Sequence, residues 1–287
     1  MLDQITPLIL TYNEAPNIER NLRQLTWARD IVLVDSFSTD ETLTLARQFP
    51  QVRTFQRAFD THQQQWSFGL QHTAIKTSWV LALDADYILT DELVQELEKL
   101  QPAPDVNGYE GSFVYCFHGK RLRSGVYPPV TVLYKREGAS YEQDGHTQRL
   151  RCTGKVQRLS SVILHDDRKP LARWLNSQIR YCELEAQKLV TSESANLSFM
   201  DRVRRWVILA PVTMMFYCLF VRLGILDGWA GMHYAFERTV AESILSLCLI
   251  RHRLVTRTSK SENSADQKSE SEIASSNTQF KVQSTNS

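Results

Sequence analysis

The first hundred residues alternate short apolar runs with stretches whose apolar positions recur every three or four residues. Ile5 to Leu10 is an apolar run ending at Thr11-Tyr12-Asn13-Glu14. Ile18, Leu22 and Leu25 follow at helical spacing, as one face of an amphipathic helix requires. Ile31-Val32-Leu33-Val34 reads as a strand buried on both faces and ends at Asp35. Ser38 and Glu41 have capping-box spacing and predict a helix through Leu45 and Phe49. Val52 to Phe55 predicts a third strand, Gln63 to Ile75 a helix, and Trp79 to Leu83 a fourth strand ending at Asp84; Leu93, Val94, Leu97 and Leu100 mark another helix. Strands alternating with helices predict βαβ units, hence an α/β fold with a mostly parallel, doubly wound sheet. Such sheets bind ligands beyond the carboxyl ends of their strands. Glu14, Asp35 and Asp84 each stand just past a strand end, so all three are expected to face one crevice.

Beyond Pro102 the texture changes. Tyr109 to Phe117, Val130 to Lys135 and Arg158 to Leu164 predict mixed or antiparallel strands that complete the sheet, and Pro170 opens a long helix. Trp206 to Val221 is free of charge but, at sixteen residues, short of the roughly twenty that span a bilayer. Pro211 argues further against a straight spanning helix. Residues 200–258 carry eight arginines, no lysine and four acids. Arginine flanking apolar surface suits helices lying in an anionic membrane interface; a re-entrant hairpin and an oligomer interface remain open. The expected division is a catalytic domain at 1–195, with a nucleotide half at 1–100 and an acceptor half at 101–195. A membrane-associating helical segment at 196–258 and a serine-rich, disordered tail at 259–287 follow.

Composition narrows the classes. A net charge of +1 over 287 residues gives no reason to expect a nucleic-acid partner. The five cysteines form no CxxC pair, which argues against a zinc or redox motif and for a reducing compartment. No basic region followed by an apolar stretch opens the chain, so no signal peptide is expected.

The candidate chemistry centres on Asp84-Ala85-Asp86. Two carboxylates one residue apart at a strand end suit a hard divalent cation, which takes one or two carboxylates and fills its shell with phosphate oxygens. Such a cation stabilises the charge that develops on a departing diphosphate. The bland alternative is an ordinary loop or helix entry.

Three stretches together carry a resemblance: Leu8-Ile9-Leu10-Thr11-Tyr12-Asn13-Glu14, Val32-Leu33-Val34-Asp35-Ser36-Phe37-Ser38-Thr39-Asp40-Glu41-Thr42, and Leu81-Ala82-Leu83-Asp84-Ala85-Asp86. In order and spacing they resemble glycosyltransferase family 2, with its GT-A fold. Gln63 to Leu70 and Gly224 to Gly231 resemble in particular the branch of bacterial lipopolysaccharide core glucosyltransferases. The resemblance implies a metal-dependent inverting transfer of a hexose, glucose in that branch, from a UDP-sugar. The acceptor would be a glycolipid at the cytoplasmic face of the bacterial inner membrane. It implies that Thr11 and Glu14 line the nucleotide pocket and that Asp35 accepts from the uracil ring N–H. Gln64 would lie near the base or diphosphate. Asp84 would meet the ribose or the metal, and Asp86 would bind Mg2+ or Mn2+ directly. His165 is a further candidate metal or diphosphate ligand, against a purely structural role. For Asp40, support of the helix start is the expected role.

An inverting transfer needs a base for the acceptor hydroxyl. Relatives often place a His-Glu pair after the mixed strands; this chain has Asp144-Gly145-His146-Thr147, where threonine cannot serve. Asp144 is the first choice and His146 the second, with a plain surface turn as the alternative. Tyr87 replaces a glutamate common in the branch. Lys120, Arg121 and Arg123 could meet an acceptor phosphate or form a solvated face. Competing functions are transfer to polyprenyl phosphate or protein, and a binding protein on a degenerate transferase fold. A nucleotidyltransferase is disfavoured, because Thr11 to Pro16 holds neither glycine nor a basic residue.

Overall fold

A computed structural model describes residues 1–144, 147–191 and 199–255. Its centre is a nine-stranded mixed sheet. The first strands are β1 (Ile5–Thr11), β2 (Ile31–Asp35), β3 (Val52–Gln56), β4 (Trp79–Asp84) and the short β5 (Tyr87–Leu89). Then come β6 (Val106–Phe117), β7 (Lys120–Arg121), β8 (Val130–Lys135) and β11 (Lys155–His165). The order is β3-β2-β1-β4-β8-β6-β11-β5, with β7 on β6. β1 to β4 are parallel, whereas β8 is antiparallel to both β4 and β6. β9 (Ser140–Asp144) and β10 (Thr147–Arg151) form a separate hairpin.

The central parallel strands β1, β2 and β4 are mostly apolar and buried because helices cover both faces. Successive strand residues point to opposite faces, and the packing follows that alternation. Leu8, Val32, Val34 and Val80 join Trp66 and Leu70 of α3 (His62–His72). Ile9, Leu33, Leu81 and Leu83 join Ile18 and Leu22 of α1 (Ile18–Arg23) and Leu93 and Leu97 of α4 (Asp91–Lys99).

Two local expectations are corrected. Ser38 does not cap a helix: α2 is only Thr42–Ala46, and its first N–H bonds the Asp40 carboxylate at 3.0 Å. Ser38 instead turns back to Asp35, donating from its N–H at 2.8 Å and its hydroxyl at 2.5 Å. A nearby buried carboxylate outcompetes a helix end for that serine. The second correction concerns strand count. β5, β7 and the β9–β10 hairpin are absent from the sequence pattern, being short, polar or both.

After α5 (Leu171–Thr191) come α6 (Phe199–Arg204) and α7 (Leu209–Phe216), which runs into a π turn at Tyr217–Val221 and then a 3-10 turn at Gly224–Asp227. A final helix, α8, spans 229–255. Pro211 lies in the first turn of α7, where a missing N–H costs nothing. Arg204 binds Glu242 at 3.1 Å and approaches Glu185 and Asp201 at 3.7 Å each, tying α6 to α8 and α5. Among the described residues, no helix is long and apolar enough to cross a membrane, and all five cysteines are unpaired. The expected tail at 259–287 lies outside the described residues.

The glycines of the 224–231 stretch have a packing reason. A Cβ on Gly231 would stand 2.0 Å from the Gly224 carbonyl oxygen, and one on Gly224 would meet Ser124 and the Cys218 carbonyl at 2.7 Å. Gly231→Ala is therefore expected to destabilise the fold by about 3 kcal/mol, the upper end for overpacking. Denaturant unfolding of Gly231→Ala beside the wild type checks this.

Candidate active site

The carboxyl ends of three adjacent parallel strands form a row. Thr11 pairs in register with Asp35, and Leu10 with both Val34 and Asp84. The loops after β1 and β2 rise from this row and are bound to each other. Asn13 and Phe37 adopt left-handed backbone (φ 54° and 59°), a conformation an asparagine tolerates better than most residues. The Asn13 side chain accepts from the Thr39 N–H at 2.7 Å, while its own N–H donates to Ser38 Oγ at 2.7 Å. The N–H of Glu14 donates to Thr42 Oγ1 at 2.6 Å, and that of Ala15 to Asp40 at 3.2 Å. Much of the Thr-x-Asn-Glu and Asp-Ser-x-Ser-x-Asp-x-Thr patterns is thus loop scaffolding. Asp40 supports the α2 start, as expected from sequence.

Asp35 is fully buried and surrounded by donors: Thr11 Oγ1 at 3.0 Å, two from Ser38, and a long contact from Gln56 Nε2 at 3.4 Å. The Gln56 bond is the weakest and the one an incoming N–H would displace. Gln64, expected near the ligand, is exposed on the first turn of α3. Its neighbour Gln65 is buried and donates to Ser36 Oγ at 2.9 Å and to the Arg57 carbonyl at 3.1 Å. The Gln-Gln-Gln run gave no signal for choosing among its members.

Asp84 ends β4, and a two-residue turn carries the chain through Asp86 into β5. The Asn21 side chain fixes this turn, donating to the Tyr87 carbonyl at 2.6 Å and more loosely to that of Asp84 at 3.3 Å. Asp84 opens to solvent in the crevice, whereas Asp86 is buried. One Asp86 oxygen meets His165 Nε2 at 3.3 Å and the Lys169 ammonium at 3.6 Å; the other is buried without a partner. Lys169 also binds Glu14 at 2.9 Å and Asp167 at 3.3 Å. Asn17 bridges the same two acids, 2.9 Å from each.

These charges set the protonation of the site. Desolvation, then repulsion from Asp86, pushes the Asp84 carboxyl up to about 6 although it retains accessible surface. Burial pushes Glu14 up to about 7; Lys169 opposes that shift and Asp86 adds to it. Burial would also raise Asp86, but His165 and Lys169 outweigh it and hold this carboxylate well below its usual range. Asp86 is therefore anionic at neutral pH beside a carboxyl that titrates readily. Among the described residues no group of three or more His, Cys, Asp or Glu side chains is arranged to hold a metal by itself. What is present fits a cation completed by substrate: an anionic, half-unsatisfied Asp86 with Asp84 beside it.

His165 stands in an aromatic wall. The rings of Tyr115, Tyr87 and Tyr127 lie 4.4, 5.3 and 5.7 Å from it. Tyr87 and Tyr127 share a hydrogen bond at 2.9 Å. Tyr87 thus serves as part of that wall. Over the crevice, Arg173 of α5 donates to the Tyr12 and Asn13 carbonyls and lies over the Tyr12 ring at 5.6 Å. Lys120 and Arg123, read from sequence as a phosphate cluster or solvated face, are partly structural. Lys120 donates to the Asp227 carbonyl at 2.6 Å, and Arg123 pairs with the buried Asp227 carboxylate at 3.0 Å. Asp144 closes β9 with its backbone paired to Thr147. Its side chain and the whole of His146 lie outside the described residues.

The family model for Glycosyl transferase family 2 matches residues 8–158, more than half of the chain and every strand-end acid in the row. The chain belongs to glycosyltransferase family 2. Its relatives include an uncharacterized glycosyltransferase of Rickettsia bellii, 29% identical over 144 residues, a match spanning 48% of each chain. A second, from Rickettsia felis, is 22% identical over 88% of this chain and 93% of that one. Among solved structures, a mannosyltransferase from Pyrobaculum calidifontis in complex with GDP-Man and Mn2+ superposes with a TM-score of 0.51 at 14% identity, covering 86% of each chain. That likeness is one of fold, the GT-A arrangement, and this glycosyltransferase carries it through both halves of the sheet.

Removing Lys169 would strand Glu14, Asp86 and Asp167. Lys169→Ala is expected to cost about 3 kcal/mol at pH 8, the scale of breaking a buried ion pair. Glu14 has a folded pKa near 7, above its unfolded value, so its ionisation penalises the folded state increasingly as pH rises through 7. The deficit of the variant should accordingly shrink at pH 5.5, by paired thermal melts.

Proposed function

We propose that this glycosyltransferase is metal-dependent and inverting, and moves a hexose from a UDP-sugar to a lipid-linked glycan such as lipopolysaccharide core. Glucose is the sugar we choose, and the cytoplasmic face of the bacterial inner membrane the setting; both follow from the branch resemblance. The observation that carries the donor chemistry is the buried, anionic Asp86 with one carboxylate oxygen unsatisfied beside Asp84. The complex of the Pyrobaculum calidifontis enzyme with GDP-Man and Mn2+ supports a nucleoside diphosphate sugar and a divalent cation used together.

Asp86, with Asp84, would hold Mg2+ or Mn2+. When bound, the cation supplies positive charge against the diphosphate leaving group. The chain's own residues do the rest. Asp35, held by Thr11 and Ser38, offers a fixed acceptor for a uracil N–H in exchange for the long Gln56 contact. Glu14 keeps Lys169 beside the acids, so the cleft does not accumulate uncompensated negative charge before substrate arrives. His165, walled by tyrosines, orients one oxygen of Asp86, while the other is buried without a partner. For the base we retain Asp144 first and His146 second. Their hairpin meets α3 where Gln143 accepts from the Gln63 N–H at 3.4 Å.

A panel of UDP-sugars, with UDP release read in the presence and absence of Mn2+, tests the proposal. Release should require the cation, and Asp86→Ala should lower it by a factor on the order of 10² to 10³, the scale of losing one charge-stabilising group. Undiminished release by Asp86→Ala, or in excess chelator, would refute the metal assignment.

A further inference from the structure

Helix α8 is apolar on two opposite sides. Ala230, Tyr234, Ala235, Leu245 and Leu249 are buried against the rest of the fold. Phe236, Val240, Leu247 and Leu254, at spacings of four and seven, lie on its exposed side. An apolar helix face left without a partner is out of place in water. The partner helix shows the same pattern. Met214 and Cys218 point inward, while Val212, Phe216 and Phe220 are each half exposed or more. The turn joining the two helices presents Ile225, Leu226 and Trp229, the last 89% exposed. Soluble monomers rarely leave so continuous an apolar surface open to water.

A basic fringe surrounds that turn. Lys120, Arg121, Arg123 and Arg222 are exposed. Lys120 and Arg123 are anchored on Asp227, and Arg222 on the Gly125 carbonyl at 3.0 Å. The one acid of the turn, Asp227, is buried, so the outward charge is positive. A second copy packed face to face on a twofold axis would bring these two cationic fringes together. An anionic headgroup layer would neutralise them.

We propose that the outer face of the α7–α8 hairpin seats this enzyme on an anionic lipid bilayer, with the turn around Trp229 buried at headgroup depth and Lys120, Arg121, Arg123 and Arg222 on lipid phosphates. This deepens the reading of a lipid-linked acceptor by naming the surface that meets the lipid. The geometry also aims the cleft. Tyr234 follows Trp229 by five residues, about 7.5 Å along a helix. Its ring is 4.9 Å from Tyr115, which is 4.4 Å from His165, and its hydroxyl accepts from the Val126 N–H at 2.9 Å. One rigid element thus joins the lipid-facing turn to the wall beside Asp86. A glycan attached to a lipid would reach the cleft while its tail stays in the bilayer.

Flotation of the full chain with phosphatidylglycerol-containing vesicles, against pure phosphatidylcholine vesicles, tests this. Binding should favour the anionic vesicles. L226Q and W229S should each weaken it roughly tenfold, the scale of one large apolar side chain. R121Q together with R222Q should remove the preference for anionic lipid. UDP release to water, which needs no lipid, should be unchanged in all of these variants and separates failure of the donor chemistry from failure of the docking surface. Equal binding by wild type and W229S, or a wild-type dimer that W229S converts to monomer without any vesicle binding, would overturn the proposal.

Discussion

The ammonium of Lys169 is the constraint on which the site depends. Three acids from three parts of the chain converge on it: Glu14 after β1, Asp86 after β4, and Asp167 after β11. Without a cation among them, close carboxylates in a desolvated cleft would repel one another or take up protons. Burial tends to strip Lys169 of its charge, but Asp86, Glu14 and Asp167 overcome that tendency and raise its pKa. The ammonium therefore fixes three loops as well as the charge of the cleft. Arg20, which binds both the carboxylate and the carbonyl of Asp166, fastens the same segment to α1 from the other side.

The fold was legible because its signals are local. Strands buried on both faces, helices with spacing of three and four, and acids at strand ends can all be read within a window of ten residues. Val130–Lys135 and the parallel strands emerge where the pattern puts them. The site was less legible because its decisive contacts are remote in sequence. Glu14 and Lys169 are 155 positions apart and Asp86 and His165 79. The run His165-Asp166-Asp167-Arg168-Lys169-Pro170 signals charge before a helix start, but nothing in it says which charge points inward. Ser38 shows the limit of motif reasoning: its spacing to Glu41 suits a cap, yet the buried carboxylate of Asp35 takes both its donors. Gln64 and Gln65 show another, since only the phase of α3 decides which glutamine faces Ser36.

The C-terminal helices extend the same logic from charge to apolar surface. Arg204 draws Glu185, Asp201 and Glu242 together, so ionic contacts hold the helices on the inside while their outer side chains stay apolar. Glu185, Asp201 and Glu242 thus find a common cation within the protein.

Thr11, Asp35 and Asp84 sit on neighbouring strands, and parallel strands lie about 4.8 Å apart. The row from Asp35 to Asp84 therefore measures about 10 Å across, and a nucleotide laid along it would run perpendicular to the strands. Its base and its phosphates would then rest on different strands, with β1 between them. Selection could rework the end that reads the base through β2 and its loop, leaving the end that holds the phosphates untouched. On the proposed reading, the two halves of donor recognition would be independently adjustable parts on one rigid ruler.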